Sequence, residues 1–449
     1  MKHLLSLILM CLCLLPTGAK TKAKPFINVY SDLHVVEPEI AKNLELQPGE
    51  RKLINRSAEI FRDYINPYMD KDGQLPKLVL ITGDLTEYGD LASHQYVASQ
   101  LNCVKNTGVP VLVIPGNHDC GKEVSKDEFA RIYADFGYNS ALRDPNSLSY
   151  VCEPVKGIVI LGIDTNGDSN SAIKWAAAQA AKAKGKTVIA MMHHHLFPHF
   201  LEEDKLLATS VIDNSQAMTD LLIKSGVRYV FTGHTHIHDA AVAYNTEHTD
   251  SIIDICTGAL SAHPHYYREL RLKGNKIAND ASVHNFLVYD AKNGLAPSVP
   301  YSEASKELIK KAVPVMVKNM GRKYWDKAMA MAQSLPMANR MLAKDLDWNK
   351  VSSLIDINIT PYLTQIYLMA SMGDENNQNT ANLRTELRNG IFSVIKHVVN
   401  PDYQDAALEL LSPMVDSKLM PIVNSILDDT NQYSSTPISD ISPISQLNE

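Results

Sequence analysis

The sequence predicts an α/β layer structure followed by an all-helical domain. In the first part of the chain, short apolar runs rich in β-branched residues alternate with helical patterns, which is typical of α/β proteins. The runs that we expect to be buried strands are Phe26–Tyr30, Leu78–Thr82, Val109–Ile114, Gly157–Ile163, Thr187–Met192 and Val227–Thr232. Helical patterns between several of them cover Asp90–Lys105, Lys126–Phe136, Ser171–Lys184 and Gln216–Lys224.

The pattern changes after Thr232, because strand-like runs then follow one another without long helices between them. These runs are Ser251–Thr257, Tyr267–Leu272 and Ser282–Tyr289. We expect them to form a second sheet that closes a β-sandwich. Pro297–Tyr301, with two prolines and a serine, is expected to be a linker.

From Ser302 to about Ile426 nearly the whole sequence has helical patterns. Ile309, Ala312, Val313 and Met316 share one face at helical spacing. Further helical patterns are Leu354–Met372, broken near Pro361, then Ala381–Val399 and Asp405–Ile426. We expect a separate helical domain over residues 302–427. Residues 428–449, rich in Ser, Pro, Asn and Gln, are expected to be a disordered tail.

Ten of the sixteen methionines lie in the helical part. Methionine fills irregular gaps in cores, and it also forms adaptable surfaces for a lipid or a protein partner. The sequence leaves both interpretations open.

The composition indicates a globular protein of two or three domains. The chain has 449 residues, of which 45% are apolar and 21% charged. Its net charge is −7 and it has no basic block, so a nucleic acid is not expected as a partner.

Residues 1–19 are predicted to be a signal peptide. The apolar run Leu4–Leu15 has about half the ~20 residues that a membrane span needs, and small residues up to Ala19 would allow cleavage. The expected location is therefore periplasmic or secreted. A lipoprotein anchored through Cys11 or Cys13 is the less favoured alternative. We expect no transmembrane segment elsewhere.

The mature chain would contain four cysteines, Cys103, Cys120, Cys152 and Cys256. In an exported protein they could form up to two disulfides, with three possible pairings. Because no CxxC spacing occurs, a zinc knuckle or redox motif is disfavoured, and disulfides or plain burial are expected.

Five short segments carry metal-ligand residue types, and each follows a strand-like run. They are Ser31-Asp32-Leu33-His34, Thr82-Gly83-Asp84, Gly116-Asn117-His118-Asp119, His193-His194-His195 and Gly233-His234-Thr235-His236. Strand ends and the loops after them are where α/β proteins assemble active sites. Carboxylate, amide and imidazole ligands without thiolate suit metals such as Mn, Fe, Co or Zn. A two-metal hydrolytic centre also needs a carboxylate that bridges cations about 3.5–4 Å apart.

As a set, these segments resemble the motifs of the calcineurin-like metallophosphoesterases, and they are most similar to the bacterial cyclic-nucleotide phosphodiesterases. The resemblance covers roughly Phe26 to Tyr289. It implies a four-layer α/β/β/α metallophosphoesterase sandwich over residues 20–298. It also implies a hydrolase of phosphodiesters, with phosphomonoesters less favoured, and the predicted signal peptide makes this an exported enzyme. Cyclic nucleotides, glycerophosphodiesters and phospholipid head groups are the candidate small-molecule substrates.

The resemblance further implies two divalent or trivalent metal ions, Mn, Fe or Zn. Asp32, His34 and His236 would bind the first ion, Asp84 would bridge, and Asn117, His193 and His234 would complete the second site. The family's usual prolines are missing from His193-His194-His195-Leu196. We therefore favour His193 as the ligand and keep His194 as the alternative.

His118 resembles the family's catalytic histidine, with Glu87 as its candidate acidic partner and Asn117 and His118 as substrate contacts. The stretch His263–Arg268 is either an ordinary loop-to-strand junction or a substrate-facing wall. In the second case Tyr267 would stack on a base and Arg268 would bind a phosphate.

Two alternatives compete with the hydrolase. One is a binding protein with a vestigial metal site and a partner-binding helical domain, although no ligand is missing from the sequence. The other is a nuclease, which the acidic charge balance disfavours. The sequence does not indicate the oligomeric state.

Overall fold

A computed structural model describes residues 25–65, 74–139, 142–273, 276–277, 284–287, 301–334, 340–373 and 380–428. The predicted signal peptide, most of the predicted linker and residues 429–449 of the predicted tail lie outside the described residues.

Two mixed sheets form the centre of the first domain. One sheet has the strand order β12 (Lys276–Ile277), β11 (Tyr266–Lys273), β1 (Phe26–Tyr30), β2 (Leu78–Ile81) and β3 (Val111–Val113), and β13 (His284–Leu287) also pairs with β11. The other has the order β4 (Leu142–Arg143), β5 (Tyr150–Val155), β6 (Ile158–Ile163), β7 (Thr187–Met192), β8 (Tyr229–Thr232), β10 (Ser251–Cys256) and β9 (Asp239–Tyr244). Neighbours are parallel within β1–β3 and within β6, β7, β8 and β10.

Alternate residues of the central strands face different layers, as a sandwich requires. Ile158 and Ile160 of β6 belong to the hydrophobic cluster between the two sheets. Leu161 and Ile163 of the same strand pack with the helix Ser169–Ala180. Because both faces are covered, these strands are continuous apolar runs. The predicted four-layer α/β/β/α architecture is confirmed.

The helices of this domain are α1 (Pro38–Ala41), α2 (Ser57–Ile65), α3 (Leu91–Lys105), α4 (Lys126–Ile132), α5 (Ser169–Ala180), α6 (Glu203–Leu206) and α7 (Ser215–Lys224). Helix α5 begins two residues earlier than the pattern predicted, because the carboxylate of Asp168 accepts the N–H of Ser171 and caps it.

The predicted grouping of the strands after Thr232 is wrong. Strand β10 pairs in parallel with β8, whereas β11 and β13 extend the first sheet, with β11 antiparallel to β1. An additional strand, β9, pairs with β10. The three runs are therefore divided between the two sheets, because pairing across the chain decides sheet membership and a local apolar pattern does not encode it.

The described C-terminal part is helical, as predicted. Its helices are α8 (Tyr301–Ser334), α9 (Trp348–Asn358), α10 (Thr360–Met372), α11 (Thr380–Val398), α12 (Gln404–Met414) and α13 (Met420–Leu427), with a π-helical turn at Val415–Leu419. The predicted break near Pro361 falls at Ile359, and the proline lies in the first turn of α10, where its missing N–H costs no helical hydrogen bond.

Within the described residues, no helix combines the length and the apolar character that a membrane crossing requires. The four described cysteines are unpaired: Cys256 is buried, Cys120 and Cys152 are half-buried, and Cys103 is exposed. The structure therefore corrects the expectation of disulfides and leaves burial as the role of Cys256.

Candidate metal centre

The five predicted segments meet at one edge of the sandwich. Strands β1, β2 and β3 run in parallel and end side by side, and β7 and β8 do the same in the facing sheet. The carboxyl ends of parallel strands place the loops that follow them at a common edge. The donor residues after these five strands therefore converge.

Asp32, His34 and His236 form the first group of donor atoms. The Nε2 atoms of His34 and His236 lie 3.1 Å apart. Oδ1 of Asp32 lies 3.3 Å from Nε2 of His236 and 3.7 Å from Nε2 of His34. Two imidazole nitrogens and a carboxylate oxygen thus point at one small volume.

Asp84, His193 and His234 form the second group, and Asn117 lies beside it. Oδ1 of Asn117 is 3.0 Å from Nε2 of His193 and 2.9 Å from Nδ1 of His234. Oδ2 of Asp84 is 3.4 Å from Nε2 of His193 and 3.5 Å from Nε2 of His34. Asp84 is therefore the carboxylate between the two groups.

The donors fit a pair of metal ions. Metal–ligand bonds of about 2.0–2.2 Å place adjacent ligand atoms roughly 3–3.5 Å apart. The separations in the two groups, from 2.9 to 3.7 Å, are close to this spacing. His193 lies in the second group, whereas Nδ1 of His194 pairs with Oγ1 of Thr165 at 2.7 Å. The structure thus places the favoured histidine, and not its neighbour, among the donors.

Two glycines of the motifs lie where a side chain would collide with the donor residues. A Cβ on Gly116 would lie 2.1 Å from Oδ1 of Asp84, and one on Gly233 would lie 2.3 Å from Oδ2 of Asp32. Any side chain at these positions would occupy the space of a donor. The loops can approach the donors this closely because no Cβ is present.

Five of the donor residues have left-handed backbones, which non-glycine residues rarely adopt. They are Asp32 (φ 49°), His34 (φ 44°), Asp84 (φ 48°), His234 (φ 71°) and His236 (φ 64°). Each such conformation costs of order 1–3 kcal/mol, and this kind of strain clusters at functional sites. The fold thus holds these side chains in place at the expense of local stability.

Hydrogen bonds orient the two central imidazoles. Nδ1–H of His193 donates to the carbonyl oxygen of Thr82 at 3.0 Å, and Nδ1–H of His34 donates to Oε2 of Glu87 at 2.7 Å. These partners assign the tautomer that leaves each Nε2 lone pair facing the donor group. Metal-binding histidines are commonly oriented in this way.

The charge state of the histidines follows from burial and from the carboxylates. Burial lowers the pKa of His234 to about 2 and that of His236 to about 4. Burial also acts to lower the pKa of His193, but the negative charge of Asp84 outweighs it and raises this pKa to about 9. A cation bound to His193 would have to displace a proton.

His118 lies at the edge of the donor cluster and is partly exposed. Its backbone N–H donates to Oδ1 of Asp84 at 2.9 Å, and its Nδ1–H donates to the main-chain carbonyl of Glu87 at 2.7 Å. The side chain, 29% exposed, lines the adjoining cavity. This arrangement leaves Nε2 as the ring nitrogen for contact with a substrate.

The structure corrects the role expected of Glu87. Its carboxylate lies 4.0 Å from His118 and instead accepts hydrogen bonds from His34 and from Nζ of Lys52, each at 2.7 Å. Burial acts to raise the pKa of Glu87, but these two partners hold it at about 2. Glu87 is therefore an ionised residue that positions a donor.

The predicted substrate contacts of Tyr267 and Arg268 do not fit the geometry. Arg268 is fully buried, and its guanidinium donates to the carbonyls of Cys256 at 3.1 Å and Asp239 at 2.9 Å. The ring of Tyr267 stacks on Tyr30 with centroids 4.8 Å apart. The guanidinium of Arg268, which the sequence suggested was free to bind a phosphate, is instead buried and hydrogen-bonded to main-chain carbonyls. The stretch is therefore a structural junction between a loop and a strand.

Sequence reasoning missed two groups that support the site. Asp119 is fully buried and accepts backbone N–H groups of Leu85, Thr86 and Gly116, so it joins the two loops that carry Asp84 and Asn117. The sequence did offer a sign of its importance, because Asp119 is the last residue of the segment Gly116-Asn117-His118-Asp119. Lys52 lies in a segment without a pattern, and the sequence carried no signal for it.

Fold and site together define an α/β sandwich protein with a two-part cluster of metal-ligand side chains at its strand ends. Residues 27–238 match the family model described as calcineurin-like phosphoesterase. This part of the chain, a little under half of its length, is similar to the family, and the resemblance drawn from the motifs is confirmed.

The chain is similar to curated proteins over part of its length. It is 22% identical over 160 residues to a probable cyclic nucleotide phosphodiesterase of Xenorhabdus bovienii, covering 36% of this chain and 61% of the relative. It is 29% identical over 126 residues to a probable glycerophosphodiester phosphodiesterase of Arcobacter nitrofigilis, covering 26% of this chain and 42% of the relative. The matches thus span less than two thirds of either relative.

Among solved structures, the chain is similar to a purple acid phosphatase from yellow lupin. The TM-score is 0.37 at 12% sequence identity, and the similarity covers 56% of this chain and 49% of the other.

Proposed function

We propose that the protein is an exported phosphodiesterase that depends on two metal ions. The observation that carries this proposal is the position of Asp84, whose Oδ2 lies within 3.5 Å of a donor nitrogen in each group. One carboxylate between two donor sets is what a dinuclear hydrolytic centre needs. The convergence of side-chain atoms from all seven predicted ligands supports this proposal over the alternative of a vestigial site.

Two bound cations would supply Lewis acidity for phosphoryl oxygens and a hydrolytic nucleophile from water near neutral pH. The residues of the chain orient the reaction. Asn117 and His118 border the cavity beside the donors and can contact a phosphoryl oxygen. Because Nδ1–H of His118 is held by the Glu87 carbonyl, Nε2 is the atom that can pass a proton to the leaving oxygen.

A diester substrate is favoured over a monoester by the names of the curated relatives, which are both probable phosphodiesterases. Cyclic nucleotides, glycerophosphodiesters and phospholipid head groups are the candidate classes. The expected metals are Mn, Fe or Zn, because the donors are oxygen and imidazole without thiolate.

The test compares hydrolysis of bis-p-nitrophenyl phosphate and p-nitrophenyl phosphate by protein loaded with Mn, Fe or Zn. We expect faster turnover of the diester, loss of activity with a chelator, and loss in Asp84→Asn. The matched control is Asp135→Asn, which removes an exposed carboxylate paired with Lys105. Turnover that survives both the chelator and Asp84→Asn would refute the proposal.

Export is part of the proposal and is supported by the apolar run Leu4–Leu15 with small residues after it. Mass spectrometry of the mature protein from cell fractions tests it. We expect a new N-terminus near residue 20 in the periplasmic or secreted fraction, and an intact leader in the cytosol would contradict it.

A further inference from the structure

A cavity of about 660 Å³ extends from the donor cluster to the helical domain. At one end it is bordered by Asp84, Asn117, His118, His234 and His236. Its volume lies in the range of small-molecule sites, about 300–1,000 Å³. A molecule whose phosphate lies at the donors therefore has the rest of its body in this cavity.

Most of the cavity lining that the helical domain contributes is aliphatic. Val313, Met316, Val317 and Met320 lie on one face of α8 at helical spacing and line the cavity, together with Leu363 and Ile366 of α10. These side chains carry no group that could hydrogen-bond the edge of a base or a glycerol hydroxyl. A partly exposed face of this kind in a cavity is typical of binding to an apolar group.

Three polar side chains of the first domain that line the cavity, Arg51, Lys52 and His199, each have a partner in the protein. Nη1 of Arg51 donates to the hydroxyl of Tyr367 at 2.8 Å, which ties α10 to the first domain. Lys52 is paired with Glu87 at 2.7 Å, and Nδ1 of His199 with Asp239 at 2.8 Å. On the helical side, the Tyr367 hydroxyl accepts from Arg51, and Oγ of Ser425 donates to the carbonyl of Ile422 and accepts the N–H of Leu201. This side of the cavity therefore offers contact area more than hydrogen bonds.

The mouth of the cavity also carries apolar side chains. Met320 is 51% exposed, Leu206 44% and Leu207 42%, and all three line the cavity. Methionine side chains adapt to ligands of varied shape. A flexible chain can thus follow the wall from the donors to the mouth.

We propose that the substrate is a phosphodiester with a long alkyl chain, whose phosphate lies at the donor cluster and whose chain lies along the aliphatic wall formed by α8 and α10. This inference rests on the proposed function and names its substrate class. It favours a lipid-type diester over a cyclic nucleotide or a glycerophosphodiester with a small polar substituent.

The experiment uses the metal-loaded full chain and alkyl p-nitrophenyl phosphodiesters with methyl, butyl and octyl groups, all below their micelle concentrations. At full burial each added methylene raises kcat/KM about fourfold. We expect the octyl diester to exceed the butyl diester by at least tenfold. Adenosine 3′,5′-cyclic monophosphate and glycerophosphocholine serve as comparison substrates, and faster turnover of either than of the octyl diester would overturn the inference.

Variants locate the effect on the wall. Met316→Gln and Leu363→Asn keep the approximate size of the native side chain while adding polar atoms to half-buried cavity positions, so the chain-length dependence should shrink several-fold in each. The matched control is Met331→Gln, on the same helix but 66% exposed and outside the cavity lining. Equal chain-length dependence in all three variants and the wild type would overturn the assignment.

Binding supplies a readout without turnover. Calorimetry with methyl-, butyl- and octylphosphonate should show affinity that rises with chain length in the wild type and less so in Met316→Gln. Affinity independent of chain length would overturn the inference, while turnover of bis-p-nitrophenyl phosphate would leave the proposed function standing. The reverse pattern, length-dependent binding without hydrolysis of any diester, would support the alkyl site and refute the proposed function.

Discussion

Replacing Gly116 by alanine should disrupt the metal centre through steric contact alone. The added Cβ would lie 2.1 Å from Oδ1 of Asp84 and 2.3 Å from its backbone nitrogen. Because the second contact is to backbone, rotation of the Asp84 side chain cannot relieve it, and one of the loops must move by about 1 Å to reach an ordinary contact distance. Overpacking of this size costs about 1–3 kcal/mol in the free energy of unfolding.

The same movement should separate Asp84 from both donor groups, since its distances to them are only 3.4 and 3.5 Å. We expect Gly116→Ala to be destabilised in urea unfolding and to retain fewer than two metal ions after dialysis. Gly258→Ala is the control, because its Cβ would meet His238 and His236 at 3.5 and 3.6 Å, which are ordinary contacts. A Gly116→Ala protein that matches this control in stability and metal content would refute the reasoning.

Three further predictions follow from the charges around the donors. The pKa of Glu87 is depressed from 4.5 to about 2, so its ionised form stabilises the protein above pH 4.5 and this contribution is lost as the pH falls toward 2. Glu87→Gln should lower the free energy of unfolding by up to about 3 kcal/mol at pH 7. In urea unfolding, the variant should also lose less stability than the wild type as the pH falls from 4.5 toward 2, and an equal loss would contradict this. The pKa of His193 is raised to about 9, so a metal ion must displace a proton from it at lower pH. Metal affinity measured by calorimetry should therefore increase about tenfold for each unit by which the pH is raised toward 9, and an affinity independent of pH would contradict this. His118→Ala should keep its metal content and lose about 10²–10⁴-fold in kcat for the diester, and a fall in metal content would instead make His118 a ligand.

The elements nearest the site were the most predictable from sequence. Strands Phe26–Tyr30 and Thr187–Met192 have the predicted bounds, because both are buried on two faces and appear as unbroken apolar runs. The donors follow directly from these strand ends. In this part of the chain, the apolar pattern that marks a strand and the metal-ligand residues that follow it both indicate where the site lies.

Other features depend on contacts between distant parts of the chain, which the sequence does not display. Arg268 beside two tyrosines suggested a phosphate contact, but it is buried against the carbonyls of Cys256 and Asp239. Lys52 contacts Glu87, which is 35 residues away in the chain. The cavity wall could not be predicted because Met316 and Leu363 belong to helices whose packing against the donor loops is set by the whole fold.

The central claim is that Asp84 joins two donor groups into one dinuclear centre. Electron paramagnetic resonance of the protein loaded with Mn²⁺ tests it most directly. We predict two ions per chain with the spectrum of a magnetically coupled pair, as expected for ions roughly 3.5–4 Å apart, and loss of this coupling in Asp84→Asn. A wild-type spectrum of isolated Mn²⁺ at one ion per chain would contradict the claim.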